Sequence, residues 1–429
     1  MSILRELLKD IPIPQMVRIR QKFDRTRLEH PEQELEAKLA ASSAMDSIVP
    51  GQQVAVAVGS RGIANIAGLT KTTLDAIKAR GAHPFIVPCM GSHGGATAEG
   101  QTEVLSHFGI TEETMGAPIR SSMEVVQIDQ LANGLPVYVD QIASQADAIV
   151  VINRVKPHTA FRGRIESGIM KMIAIGLGKQ KGAEACHQLG FKYMAENVPA
   201  MASIMIEKLP IVFGVAIVEN AYDETCRIEV LPAAEIEARE EELLVEAKSR
   251  LPKILFDEVD VLVIDYIGKN ISGDGMDPNV TGRYPTPYAH GGPEVSKMVV
   301  LDLTPETKGN ANGVGTADFT TQRLVDKTNL EATYANGLTS TVCAPTKLAT
   351  TLENDYYAIK AAVKTCNILD YTTCKLVRIQ DTLHLGEIEI SINLLEAARQ
   401  HPDIEILTEP YDLTFDAEGN IVHDRPQSH

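Results

Sequence analysis

Tryptophan is absent from the sequence, and aromatic residues together make up only 5% of it. With so few rings the chain does not read as an aromatic-rich binding module, and its core must be aliphatic, the apolar fraction being an ordinary 44%. Long apolar runs are missing too. None approaches the ~20 residues needed to span a bilayer. The opening stretch MSILRELLKDIPIPQMVRIRQKF is interrupted by prolines and charges and has no apolar core of the signal-peptide kind. Positive charge is scarce: the formal net charge is −17, which argues against nucleic acid as a partner because phosphate binding needs a basic surface. The six cysteines, at 89, 186, 226, 343, 366 and 374, form no C-x-x-C pair and no dense framework. Reduced thiols in a cytoplasmic protein are the expectation.

At 429 residues the chain exceeds one small core, and two domains are expected. Short β-branched runs read as buried strands: QVAVAVG (53–59), HPFIVPCMG (83–91), DAIVVINRV (147–155) and LPIVFGVAIVE (209–219). A segment with helical apolar spacing, ending at Gly81, separates the first two, which makes a βαβ unit and implies a parallel sheet. The charged segment 233–251 reads as a helix, and a new buried strand follows at DEVDVLVIDYIG (257–268). The boundary is therefore set at residue 252, giving domains 1–252 and 253–429. In the second, KMVVLDL, CKLVRIQ and IEISINLL read as strands, and ADFTTQRLVDK and DYYAIKAAVKT as helices. The expected fold class is α/β, two α/β domains with mainly parallel or mixed sheets and the active site in the cleft between them.

Ligands in such sheets sit where loops leave the carboxyl ends of strands. The first such loop, VGSRGIANIAG, sets Ser60 and Arg61 between glycines, which suits either an anion cradle or an ordinary turn. In CMGSHGGATAEGQ, glycines flank His93 and leave its ring open to a ligand, and Thr97 reads as a helix N-cap beside it. In NRVKPHTAFRGRIESG, Lys156, Arg162 and Arg164 surround His158. Cations around an imidazole favour its neutral form, which suits a general base. In SGIMKMIAIGLGKQKG, Lys171 stands among Ile169, Met170, Met172 and Ile173, where a desolvated amine becomes a nucleophile or covalent anchor, or else snorkels outward. GLGKQKG is neither G-x-G-x-x-G nor a P-loop. His187 ends the segment 155–187 on a helix read from EACHQLGF, and a metal pair with the adjacent Cys186 is disfavoured because neighbours rarely ligate together.

Four positions in register carry a resemblance: the histidines of GSHGG, KPHTAF and EACH (His93, His158, His187) and the lysine of SGIMKMIAIG (Lys171). Together they resemble the lactate racemase family, the nickel-pincer-nucleotide enzymes, most strongly across 55–190. The resemblance implies a racemase or epimerase, an isomerase of 2-hydroxy acids working by reversible hydride transfer. The cofactor it implies is the nickel-pincer nucleotide, pyridinium-3-thioamide-5-thiocarboxylic acid mononucleotide. Lys171 would tether that group, with Ser60, Arg61 and Gly176 beside it, and His187 would be the nickel ligand. His93 and His158 would be the general acid/base pair, one for each enantiomer. Loading by cofactor-synthesis enzymes, a second domain closing over the substrate and a possible homodimer belong to the same expectation.

The sequence departs from that family where the substrate would sit. Gly59 and Ser60 stand where an acidic residue usually precedes the arginine, and Arg162 and Arg164 stand where small residues are usual. The second domain offers SGDGMDPNVTGRYP (272–285) in place of a tyrosine, glutamine and lysine set. Arg283 is its candidate carboxylate cation, with Arg162 and Lys156 as further substrate contacts. A diacid or sugar acid larger than lactate is the expected substrate. Two other readings stay open: a lyase or isomerase using Lys171 as a Schiff base, and a carrier of the nickel nucleotide with no chemistry of its own.

Overall fold

A computed structural model describes residues 3–59 and 62–422. The chain divides into two compact units: a contiguous one, Asp24–Leu251, and a discontinuous one in which Pro252 onward is joined by the segment up to Phe23. The opening segment, expected with the first domain, therefore belongs to the second unit. The cause is strand β1 (Met16–Gln21), whose Val17 and Ile19 face Ile390 and Ile388 in antiparallel register and are buried in that unit's core.

In the contiguous unit, β2 (Gln53–Val58), β3 (His83–Pro88), β6 (Ala148–Arg154), β7 (Ile211–Glu219) and β8 (Thr225–Pro232) form a sheet in the order β3-β2-β6-β7-β8. All neighbours are parallel except β7 and β8. The runs VAVAV of β2 and AIVVI of β6 are continuously apolar because both faces of a parallel sheet are covered. Strands β4 (Val125–Gln130) and β5 (Pro136–Asp140) make a separate antiparallel hairpin. The chain leaves β2 toward β3 on one side and leaves β6 toward β7 on the other. The crevice of the sheet thus lies between the ends of β2 and β6, where Gly59 and Val155 begin their loops.

The discontinuous unit contributes β9 (Glu258–Ile267), β10 (Glu294–Leu303), β11 (Phe319–Thr321), β12 (Thr350–Leu352), β13 (Leu376–Ile379), β14 (Glu387–Ser391) and β15 (Ile404–Ile406). Its sheet runs β12-β11-β10-β9-β13-β14-β1-β15, parallel as far as β13 and antiparallel beyond. The segment ADFTTQRLVDK is not wholly helical as expected. Its Phe-Thr-Thr start pairs with β10 and β12, and the helix begins only at Gln322, with the Thr321 hydroxyl accepting the Leu324 amide. The protein is thus mixed α/β, with one largely parallel sheet and one mixed sheet.

Candidate active site

Two described loops and one distorted helical segment of the contiguous unit carry most of the sequence-predicted residues. After β3, Gly91, Gly94 and Gly95 all take positive φ. A Cβ on Gly94 would stand 2.6 Å from the Gln101 nitrogen, so only glycine lets the loop fold back on the helix Ala98–His107. Thr97 caps that helix as read, its hydroxyl accepting the Gly100 amide at 3.0 Å. His93 stands exposed on the loop. Its backbone amide donates to Met90 O, and the fully buried Gln101 donates through Nε2 to Gly91 O (2.9 Å) and His93 O (3.3 Å).

After β6, the Lys156 amide donates to Ser167 O at 2.8 Å and closes a loop around Glu166, a carboxylate with no exposed surface. Oε2 of Glu166 accepts the His158 amide (2.8 Å) and Arg162 Nη1 (3.3 Å); Oε1 accepts the Gly163 amide (3.3 Å) and Lys248 Nζ (2.6 Å). Arg162, expected to touch substrate, also donates to His158 O at 2.7 Å and to Phe161 O. Its guanidinium braces the histidine loop. Arg164 turns outward to Glu237 and Glu241, 2.8 Å from each. Arg162 is thus paired within the loop, by Glu166, and Arg164 by carboxylates distant in sequence. Lys156 is half-buried, and its charge acts on His158.

Lys171 ends a short helical turn, Ile169–Lys171, followed by a π-helical stretch, Met172–Gly176, and then the helix Lys179–His187. π-Turns of this kind recur at functional sites. Gly168, at the start of the turn, has no side chain to cap it. Glu240, reaching over from the helix Ile236–Ser249, takes that place: its Oε2 accepts the Met170 amide at 3.0 Å, and the Ile169 amide also bonds to the carboxyl. A Cβ on Gly168 would lie 2.5 Å from that carboxyl group. Glu240 is 1% exposed, its Oε1 has no hydrogen-bond partner, and burial pushes it up to about 7. Asn153 at the end of β6 donates to Gly168 O at 3.1 Å and fixes the other side of the turn. Gly176, expected beside the cofactor, is a packing glycine: a Cβ there would meet Cys89 Sγ at 2.6 Å and Met172 Cε at 2.9 Å. Its carbonyl accepts the Gly91 amide, which joins the His93 loop to the lysine segment.

His158 and His187 meet over Phe191, with ring centroids 6.0 and 5.4 Å from it, and Phe161 lies 4.5 Å from His158. Burial is the first cause holding both imidazoles below the usual histidine range. The Lys171 charge pushes both the same way, and on His158 so do His187, Lys156 and Arg162. Both rings are therefore neutral at pH 7, and Lys171 lies within electrostatic reach of each. Their tautomers differ. His187 Nδ1 sits 2.6 Å from Ala183 O, so it carries the proton and leaves Nε2 a bare lone pair. His158 Nδ1 instead accepts the Ala160 amide at 3.0 Å, so its proton is on Nε2. Cys89 and Cys186, both pushed up to about 12 by burial, are inert thiols, and Cys186 points to Met194.

Sequence reasoning missed Lys179, which has no exposed surface and a positive φ. Its ammonium lies 2.6 Å from Pro88 O, 3.1 Å from Gln101 Oε1 and 3.1 Å from Asp140 Oδ2. It ties the end of β3, the hairpin and, through Gln101, the His93 loop. Ser60 and Arg61 lie outside the described residues. In the other unit, Arg283, expected as a carboxylate cation, is spent on backbone: Nε and Nη2 donate to Val295 O, and Nη2 to Ser296 O (2.8 Å) and to Asp318 (3.0 Å). Those partners lie at the amino ends of β10 and β11, away from the edge where loops gather over a parallel sheet.

A lysine and two neutral imidazoles thus form one electrostatically coupled cluster in the α/β unit that carries the largely parallel sheet. Residues 9–198 match the family model described as the lactate racemase N-terminal domain. Among solved structures, the lactate racemase apoprotein from Thermoanaerobacterium thermosaccharolyticum is similar with a TM-score of 0.52 at 13% identity, covering 85% of this chain and 93% of that one. A protein from Thermotoga maritima gives a TM-score of 0.49 at 15% identity, covering 63% and 70%. No curated protein matches the chain. Over residues 9–198, then, this chain is similar to the N-terminal domain of lactate racemase.

Proposed function

We propose that the protein is a racemase or epimerase of a 2-hydroxy acid that anchors a nickel-pincer nucleotide through Lys171. The observation that carries this reading is the pairing of a lysine with a lone-pair-presenting imidazole, His187, in one electrostatically coupled cluster. The residues fit the group. Neutral imidazole is a good nickel ligand, and the Ala183 carbonyl orients the ring by binding its other nitrogen. Among the described residues no group of three or more His, Cys, Asp or Glu could hold a metal ion. A metal at His187 must therefore bring its other ligands with it, as a nucleotide-borne nickel does. Lys171 would tether the group, and the bound group would supply the hydride acceptor and donor.

The chain's own residues handle the proton and the charge. His93, exposed on a glycine loop, and His158, half-buried over Phe161, are the acid/base groups for the substrate hydroxyl. Lys156, half-buried in the same loop with its charge acting on His158, is the loop cation assigned to the substrate carboxylate. Arg162, Arg164 and Arg283, which suggested a diacid, are engaged elsewhere. A small monocarboxylic 2-hydroxy acid therefore fits better than the larger acid expected from sequence. Net charge argues for a small-molecule partner, and among the described residues no helix is long and apolar enough to cross a membrane.

The test is co-production with the cofactor-making enzymes and nickel. A mass increase on the peptide carrying Lys171, about one nickel per chain, and interconversion of a chiral 2-hydroxy acid with its α-hydrogen retained are expected. Borohydride trapping of a carbonyl compound on Lys171 with no nickel bound would overturn the reading in favour of a Schiff-base enzyme.

A further inference from the structure

We propose that Lys179 is a positioning residue of the reaction: its buried ammonium, acting through Gln101, fixes the His93 loop to the segment that carries Lys171 and His187. The role in turnover rests on the racemase reading, whereas the placement stands on hydrogen bonds alone. Lys179 has no exposed surface. It stands at the corner between the π-helical stretch and the helix that ends at His187, with a left-handed φ of 55° that residues with side chains rarely adopt. An ammonium is a cation with three donors, and three elements surround this one. They are Pro88 O at the end of β3 (2.6 Å), Asp140 Oδ2 at the end of the hairpin (3.1 Å) and Gln101 Oε1 on the helix beyond the His93 loop (3.1 Å).

Because the ammonium holds Oε1, the side chain of the buried Gln101 cannot turn over: reversing it would set an NH2 group against a cation. Both hydrogens of Nε2 therefore point the other way, to Gly91 O (2.9 Å) and His93 O (3.3 Å). The loop they hold is an awkward one. Gly94, Gly95 and Ala96 take left-handed φ in succession, and the backbone bonds donated by His93, Ala96 and Thr97 within the loop are 3.1, 3.3 and 3.4 Å long. The anchor segment meets the same elements. The Asp140 amide donates to Leu177 O at 2.6 Å and the Gly91 amide to Gly176 O at 3.3 Å. The end of the π-helical stretch and the start of the His93 loop are thus both referred to one buried charge.

An acid/base group works only within hydrogen-bond reach of the proton it moves, and a misplacement of about 1 Å can cost about 10² in rate. In the racemase reading the Lys171 segment carries the anchored group, so the His93 backbone must keep a fixed distance from that segment. Lys179 lies within the segment, midway between Lys171 and His187. The stretch of chain that anchors therefore also sets the acid/base loop. Lys179 and Gln101 act through His93 and take no part in the chemistry themselves.

Gln101 is the branch that can be cut without leaving Asp140 unpaired. Gln101→Met removes both ends of the amide, and Gln101→Glu keeps an oxygen for the ammonium while removing the two donors. In the cofactor-free chain, amide hydrogens at 90–97 should exchange about tenfold or more faster in both variants, the effect of losing two hydrogen bonds. Cys186, buried in the same unit, should stay closed to alkylation. If Gln101→Met exposes Cys186, the milder Gln101→Glu carries the test. Unchanged exchange at 90–97 in a folded variant would overturn the proposal. The loaded enzyme then separates positioning from packing. The Lys171 adduct and the nickel content should match wild type and KM should hold, while kcat falls by about 10–10². Loading and turnover falling together would make Gln101 a packing residue and sink the role. Failure of the racemase reading would look different: wild-type chain that takes up no nucleotide, or interconverts no 2-hydroxy acid, while exchange at 90–97 still responds to both variants.

Discussion

Replacing Glu240 with glutamine removes a titrating carboxyl from beneath the Lys171 turn while keeping an oxygen for the Ile169 and Met170 amides. Burial raises the folded-state value from the ordinary 4.5 to about 7. At about 1.36 kcal/mol per pH unit that difference corresponds to about 3 kcal/mol. The sign follows from the direction. The folded chain holds this proton more tightly than the unfolded one, so stability is fully present below about pH 4.5 and is lost as pH rises through about 7. Wild-type chain should therefore lose about 3 kcal/mol from this group between pH 4.5 and pH 8.5, and Glu240→Gln should not. Equilibration in urea at each pH, followed by a pulse of alkylation at one fixed pH, reads the two units separately. Cys89 and Cys186 are buried in the contiguous unit, and Cys366 and Cys374 in the other. The variant's urea midpoint at Cys89 and Cys186 should rise relative to wild type at pH 8.5 more than at pH 4.5, with no change at Cys366 and Cys374. A wild-type-minus-variant difference that is the same at both pH values would refute the assignment of Glu240 as a buried, titrating cap.

Glu166→Ala should destabilise the contiguous unit by about 3–5 kcal/mol, measured by the same alkylation profile, because it removes the buried carboxylate shared by Arg162, Lys248 and two loop amides. Lys179→Met leaves Asp140 buried without its cation and should cost a similar ~3–5 kcal/mol. It should also speed amide exchange at 91–95, since Gln101 loses its anchor to Lys179. Arg283→Ala should lower the thermal midpoint of the discontinuous unit and leave KM for the 2-hydroxy acid unchanged. A raised KM would restore Arg283 as a substrate contact.

The parts of the fold that could be read from sequence are those whose signal is local. Continuous apolar runs mark β2, β3, β6 and β7 because both faces of a parallel sheet are covered. Strand β1 escaped because its partner β14 lies some 370 residues further along, and β11 because three residues cannot establish a period. At the site, residue types and order pointed to His158, Lys171 and His187; the structure sets the two imidazoles against Phe191 and puts Lys171 within electrostatic reach of both. What holds them was illegible. Glu240 meets Met170 across 70 positions, Lys248 meets Glu166 across 82 and Lys179 meets Gln101 across 78. The local crowd of cations around His158 suggested substrate contacts for the same reason: the carboxylates that neutralise Arg164 belong to a helix more than seventy residues away. Tautomers depend on a single carbonyl or amide and leave no trace in residue type.

Residues 172–176 form a π-helical stretch between Lys171 and His187. A π-turn is an α-turn holding one surplus residue. Removing that residue would let the segment relax to ordinary helix and rotate everything before it by about 100° relative to everything after. The amine would then leave the wall it shares with the two imidazoles, although every named side chain would still be present. Length variation, usually absorbed in surface loops, is here sealed inside the unit, so the count of residues between Lys171 and His187 is as much a part of the site as their identities.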